Sequence, residues 1–371
     1  MATRNTFPNE VWLEIAKQAG GRGLTGIAAT SMEMRTLLIR YWAKALRFQG
    51  CQRVVSLDIL NFLERHGPGQ SNGRLPNVVP YVKRVSFAIQ PAAAWPGRYP
   101  VLESDLSRGW RGAIEIDCMS AQISPQLPQQ LAKMINPGVF IELESLNLNL
   151  WGLTWNQAAS FEKAITAYQS LNIRFLRLEE CYESRAVIDL CKPSVLQGLH
   201  LNKFTNWMRP PYALHNITRL HINASEFDLY ALGIAEAFPQ LEWLILSETN
   251  ITKSARTRIE CDLGHDRRIE NLRNIKLLKR LSFPEDVVDC DFYILEIDDA
   301  EDFSLPAHLQ WCEIVRQRYV KRLPGVEEIS FLSHWPYFYQ ATRGNDGKWK
   351  LETHLGDQVE PGGHWPCGLL G

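Results

Sequence analysis

Little in this chain favours a membrane, a disulfide framework or a nucleotide. No apolar run is long enough to span a bilayer, and MATRNTFPNE carries no apolar core of signal-peptide length, so the expected setting is cytoplasmic or nuclear. The eight cysteines are scattered, Cys181 and Cys191 being the nearest pair, and no CxxC occurs. In a reducing compartment that reads as buried thiols, with neither a zinc site nor a disulfide scaffold. Asn216, Asn223 and Asn250 each open a glycosylation sequon, which without a secretory signal is read as coincidence. Walker, Rossmann, HExxH and GxSxG patterns are all missing, and the nine histidines form no metal-like cluster. His334 and His364, each beside a tryptophan, have no cysteine or acid at ligand spacing. No catalytic residue, metal or cofactor is expected, and the chain reads as a non-enzyme.

Surplus charge is lacking as well. The formal net charge is −1, which gives no global attraction to nucleic acid or membrane. Local charge is less even: Lys253 to Arg280 is mostly basic, and between Glu285 and Asp302 every charged residue is acidic. The run RRIENLRNIKLLKR fits a solvated helix facing that acidic stretch, a nuclear signal, or a patch for an acidic partner.

What is present is 45% hydrophobic residues over 371 positions, enough for several domains or a repeat array. In FPNEVWLEIAKQAG, Phe7, Val11 and Ile15 recur at four-residue spacing with Trp12 and Ala16 beside them, a single apolar helical stripe ended by Gly20 and Gly21. A short helix around Leu24 and Ile27 follows, then a break at Thr30-Ser31. Another amphipathic helix carries Met34, Leu37, Leu38, Tyr41, Trp42 and Ala45. Three short helices bury too little surface to be secure alone, so their apolar excess must face the rest of the chain or another protein.

A second pattern repeats through the middle: aliphatic, two variable residues, aliphatic, one variable, aliphatic. It reads VKRVSF from Val82, LESLNL from Leu143, IRFLRL from Ile173 and LQGLHL from Leu196, then ITRLHI from Ile217, LEWLIL from Leu241 and LKRLSF from Leu278. Weaker copies are RGAIEI, ending at Ile116, and VEEISF from Val326. The middle anchors Leu146, Leu176, Leu199, Leu220 and Leu244 lie 30, 23, 21 and 24 residues apart. Each unit supplies one strand and a return segment, with helices clearest in WNQAASFEKAITAYQ and FDLYALGIAEAF. An ordinary parallel α/β sheet would give the same alternation without the fixed short period. Regularity fails after Leu246, where an insertion or a strand pair across FPEDVVDCD is expected. A helix over about 306–322 precedes Val326, and FYQATRGNDGKWKLET then signals a β-hairpin turning at Asn345, Asp346 and Gly347.

Stacked strands place equivalent residues side by side, so the variable positions define a candidate recognition face. Between the second and third anchors lie Asn147, Arg177, His200, His221, Ile245 and Ser282. Just before the second anchor lie Phe175, Arg219, Trp243 and Arg280. Arginine and aromatic side chains are strong interface anchors, so Phe175, Arg177, His200, Arg219, His221 and Trp243 are the candidate substrate-binding residues.

The N-terminal residues Phe7-Pro8, Glu10-Val11, Ile15, Leu24, Ile27, Ala29-Thr30-Ser31, Met34-Arg35 and Leu37-Leu38 resemble an F-box over about residues 7–48. The repeat period and signature resemble those of leucine-rich repeats, with Cys181 placed as in the cysteine-type units. Together they imply an α/β chain in four parts. A three-helix F-box spans 1–48 and a linker helix and loop 49–80; a curved leucine-rich-repeat solenoid spans 81–335, and a C-terminal hairpin cap and tail 336–371. The resemblance further implies docking on a Skp-type adaptor, and through it a cullin scaffold, by Phe7, Pro8, Glu10, Val11, Ile15, Leu24, Ile27 and Met34. A protein substrate would then occupy the concave strand face, and ubiquitin would be transferred by proximity. Two other readings stay open: helices that cap their own solenoid in a non-ligase scaffold, and a receptor holding a small ligand near Arg177, Arg219 and Arg280.

Overall fold

A computed structural model describes residues 9–18, 26–27, 30–67, 77–90, 123–179, 184–201, 214–223, 233–247, 266, 269–284, 313, 316–332 and 337–355. The chain is mixed α/β and divides into two compact units. The first holds Met1–Arg174 and Leu178–Lys192, the second Phe175–Arg177 and Pro193–Gly371.

The first unit opens on helix α1 (Asn9–Gln18) and continues through α2 (Met32–Leu37) and α3 (Ile39–Trp42). Ser31 ends the preceding segment because its extended backbone lets Oγ accept from Met34 N at 3.1 Å, satisfying a donor that the first turn of α2 cannot. The expected helix through Ala45 is corrected: the chain turns at Ala43-Lys44 and runs as strand β1 (Ala45–Gly50), parallel to β2 (Arg84–Ile89). Leu46 faces Val85, and Phe48 faces Phe87 with the rings stacked at 5.1 Å. That aromatic pairing rewards an extended chain where a helix would leave Phe48 without a partner. Helix α4 (Gln52–His66) makes the crossover between these strands, and Phe62 closes the cluster edge-on to Phe48. Helix α5 (Leu127–Ile135), β3 (Ser145–Asn149), α6 (Trp155–Ile165), β4 (Phe175–Glu179), whose residues Phe175–Arg177 belong to the second unit, and α7 (Ser184–Leu190) follow.

The repeated signature has a direct structural cause. Wherever the burial of all three anchors of a copy is described, all three are buried, among them Val82, Val85 and Phe87, then Leu143, Leu146 and Leu148, then Ile217, Leu220 and Ile222. The first anchor is followed by a residue whose carbonyl accepts two backbone N–H groups from the next strand's entry. Lys83 O takes Glu144 N and Ser145 N, Thr218 O takes Glu242 N and Trp243 N, and Glu242 O takes Lys279 N and Arg280 N. The same position stacks side chains, so Lys83 pairs with Glu144 at 2.7 Å and Lys279 with Glu242 at 3.4 Å. The weak copy RGAIEI lies outside the described residues.

In the second unit, β5 (Gly198–Leu201), β6 (Arg219–Asn223), β7 (Trp243–Ser247), β8 (Arg280–Pro284) and β9 (Glu328–Leu332) pair in parallel and in chain order. Leu199, Leu220, Leu244, Leu281 and Ile329 are successive register partners. The long intervals after Leu246 therefore do not break the register: β8 pairs directly with both neighbours. The expected strand pair across FPEDVVDCD lies outside the described residues. The hairpin β10 (Tyr337–Arg343) and β11 (Trp349–Leu355) is antiparallel, and β10 pairs with β9. Gly347 sits at φ 77°, a left-handed value that glycine accommodates without strain, and Asp346 Oδ1 closes the turn onto Lys348 N at 3.0 Å.

Candidate functional site

Two surfaces drew attention in the sequence, and each lies within one unit. On the N-terminal helices, Phe7, Pro8 and Leu24 lie outside the described residues. Leu38 is the fully buried centre of this helical group, with Leu13, Ile27, Leu37 and Tyr41 packed on it. Ile27 and Met34 are half-buried and Glu10 is exposed. Val11 and Ile15, one turn apart on α1, are each 38% exposed, and Met32 at the start of α2 is 48% exposed. A shallow groove on α2 is lined by Met32, Glu33, Thr36 and Leu37. Part of a stripe that a helix of this length would normally hide is thus left accessible to water. Met32 was missed in the sequence because it stands two residues before Met34, the first residue of the second amphipathic run.

The strand face of the second unit is built by the register itself. Arg219, Trp243, Arg280 and Glu328 are consecutive partners across β6 to β9. Their side chains stack in that order. The Arg219 guanidinium lies 5.6 Å from the Phe175 ring centre and 4.3 Å from that of Trp243, while Arg280 lies 4.2 Å from Trp243. Arg219 and Arg280 come from the two strands flanking β7, so they cover opposite faces of the indole. Cation–π contacts of this kind fix the orientation of otherwise mobile arginines. Arg280 Nε then meets Glu328 Oε2 at 3.3 Å, and Gln340 Nε2 donates to the other oxygen at 2.5 Å. Glu328 is buried, and desolvation holds its carboxyl above the usual glutamate range despite Gln340 and Arg280. Glu328 was legible in VEEISF as the residue before the middle anchor, the position that Arg219 and Trp243 occupy.

The second row, between the anchors, pairs His200 with His221, His221 with Ile245, Ile245 with Ser282 and Ser282 with Ser330. The two imidazoles are stacked at 3.7 Å with planes 16° apart. His221 is half-buried; desolvation first, then the positive field of Arg177, hold its pKa down to about 3. It is therefore neutral at physiological pH. The expectation that this whole row is solvent-facing is corrected: His200, Ile245, Ser282 and Ser330 are buried, whereas Arg177 and His221 reach the surface. Alternation along a strand assigns a face and says nothing about what covers it. Phe175 is buried under Arg219, so it supports the face more than it lines it. The accessible strip is Arg219, Trp243 and Arg280.

Among the described residues no group of three histidine, cysteine, aspartate or glutamate side chains is placed to hold a metal ion. No described helix is long and apolar enough to cross a membrane. Cys191 is buried, its thiol donates to Val187 O at 3.2 Å, and desolvation pushes the thiol pKa far up. No model of a known protein family matches this chain, and no curated protein is significantly similar to it.

Proposed function

We propose that this chain is the substrate-recognition subunit of an SCF-type cullin-RING ubiquitin ligase. Its N-terminal helices form an F-box that docks a Skp-type adaptor, and its leucine-rich-repeat strands hold a protein substrate. The observation that carries the reading is the apolar stripe of α1: Val11 and Ile15 stay accessible although Leu38 provides a core for the helices to close on. Since each side chain is already more than half covered, a partner that buried both would gain about 0.5–1 kcal/mol from each. The second support is the arginine–tryptophan strip, whose residue types anchor protein interfaces. Transfer of ubiquitin would require only that two binding surfaces hold substrate near a loaded enzyme, so no reactive side chain is needed.

The test is co-purification with a Skp-type adaptor, comparing the intact chain with the Val11→Asp, Ile15→Asp double variant. The intact chain captures the adaptor and the variant does not. Failure of the intact chain defeats the ligase reading and leaves a repeat scaffold. Capture by the variant moves the docking face elsewhere.

A further inference from the structure

The hairpin ends the sheet on an open edge, and we propose that this outer edge of β11 is a homodimer interface. There β11 of a second copy of the chain adds antiparallel about a two-fold axis at Leu351. Among the described residues no strand pairs with that side of β11. Strand phase decides which groups the edge presents. Gly344 N donates to Lys348 O at 2.7 Å across the turn, and Arg343 N donates to Glu327 O at 2.8 Å on the far side of β10. Backbone groups alternate along a strand, so those of Lys350 and Glu352 face their register partners Thr342 and Gln340. Trp349, Leu351 and Thr353 therefore turn their N–H and C=O groups outward, as a template for one more strand.

Charge selects the occupant and its register. Lys350 and Glu352 project from one face of the strand and pair with each other, Lys350 staying largely exposed. With Leu351 opposite its own copy, Lys350 stands opposite Glu352 of the second copy, and the reverse pair repeats across the axis. Both are non-hydrogen-bonded positions, where facing Cα atoms approach to about 4.5 Å and side chains lie closest. The two pairs within the strands thereby join into a ring of four alternating charges. Trp349 and Thr353 then face each other on either side of the Leu351 pair, and these outward-bonding residues exchange about six hydrogen bonds. On that face Leu351 sits beside buried Ala341 and, like Trp349, is half-buried, so the second copy extends its cover. A slip of two residues keeps the hydrogen-bond phase but sets Lys350 against Lys350 or Glu352 against Glu352, and a slip of one loses the phase. One pair of strand edges covers less than the about 1,200 Å² of a standard interface, so the dimer forms as concentration rises.

Sedimentation velocity on the purified full chain, from low to high micromolar concentration, tests this, and the mass moves from monomer toward dimer. Lys350→Glu and Glu352→Lys each give an edge of one sign, and each raises the dissociation constant about tenfold. An equimolar mixture of the two variants restores association, because the acidic edge fits the basic one. Restoration needs both variants folded, so it separates lost pairing from lost structure. Thr353→Pro removes one outward N–H while sparing the ladder to β10, and it weakens the dimer without lowering the unfolding temperature of the monomer. A chain that stays monomeric throughout overturns the proposal, and slow hydrogen exchange at Leu351 and Thr353 in that monomer assigns the edge to another segment of the same chain. A dimer indifferent to all three substitutions overturns it as well, and a mixture that fails to associate overturns the register.

Discussion

Replacing Gln52 by leucine removes the centre of a buried amide network in the first unit. Gln52 Nε2 donates to Gly152 O at 2.6 Å and to Gln157 Oε1 at 2.9 Å; its Oε1 accepts from Ser124 N at 2.9 Å and Gln157 Nε2 at 2.8 Å. Gln157 keeps Ser124 O at 3.0 Å and Thr154 N at 3.0 Å after the change, so it is only half deprived. Ser124 N and Gly152 O lose the side-chain partner that Gln52 gave them. At about 1–3 kcal/mol for each stranded group, less the gain from an added apolar side chain, the loss is about 3 kcal/mol. Gln157→Leu costs a similar amount because it also breaks the capping box with Thr154. The double variant should cost about 1–2 kcal/mol less than the two singles together, since neither glutamine is then left facing a leucine. Urea unfolding, paired with hydrogen exchange at the amides of α4, measures all four proteins. Strictly additive losses, or a Gln52→Leu loss below about 1 kcal/mol, would refute the claim that these amides hold α4, α6 and the segment at Ser124 as one network.

Gly152→Ala should destabilise the first unit by about 1–3 kcal/mol, because a Cβ there would stand 2.5 Å from Gln90 O and 2.6 Å from Ile89 Cγ2; thermal unfolding reads it, and an unchanged midpoint contradicts it. His221 has a folded-state pKa held below its unfolded value, so the unfolded chain takes up a proton first as pH falls. Stability is therefore complete above about pH 6.5 and declines as pH drops toward about 3. His221→Gln should flatten that acid slope in urea titrations, and a slope unchanged by the substitution would remove His221 as its source. Trp349→Ala should loosen the hairpin, because Arg316 stacks on that ring at 5.2 Å; faster exchange across residues 337–355 is the expected sign, and unaltered exchange would show the contact to be idle.

The repeat register was readable from the sequence because three aliphatic positions per unit have a single geometric solution once strands pair in parallel. Even Leu281, after an interval of 37 residues from Leu244, took the register place its signature implied. Helix α4, from Gln52 to His66, falls inside the segment 49–80 where a linker helix is expected. Strand β1 was not legible: Leu46 and Phe48 extend the preceding apolar run as well as they fit a strand, and only their partners Val85 and Phe87, far along the chain, decide between the two. The Gln52–Gln157 pair was invisible for the same reason, since its hydrogen bonds join residues 105 positions apart. On the candidate face the sequence identified the rows but not the cover over His200 and Ser282. Alternation fixes direction, and burial depends on distant segments.

Hydrogen exchange of residues 9–37, measured with and without a purified Skp-type adaptor, tests the central claim most directly. The account predicts slowed exchange in α1 and α2, around Val11, Ile15 and Met32, with the strands of the second unit unchanged. Exchange in those helices that is indifferent to the adaptor would contradict it.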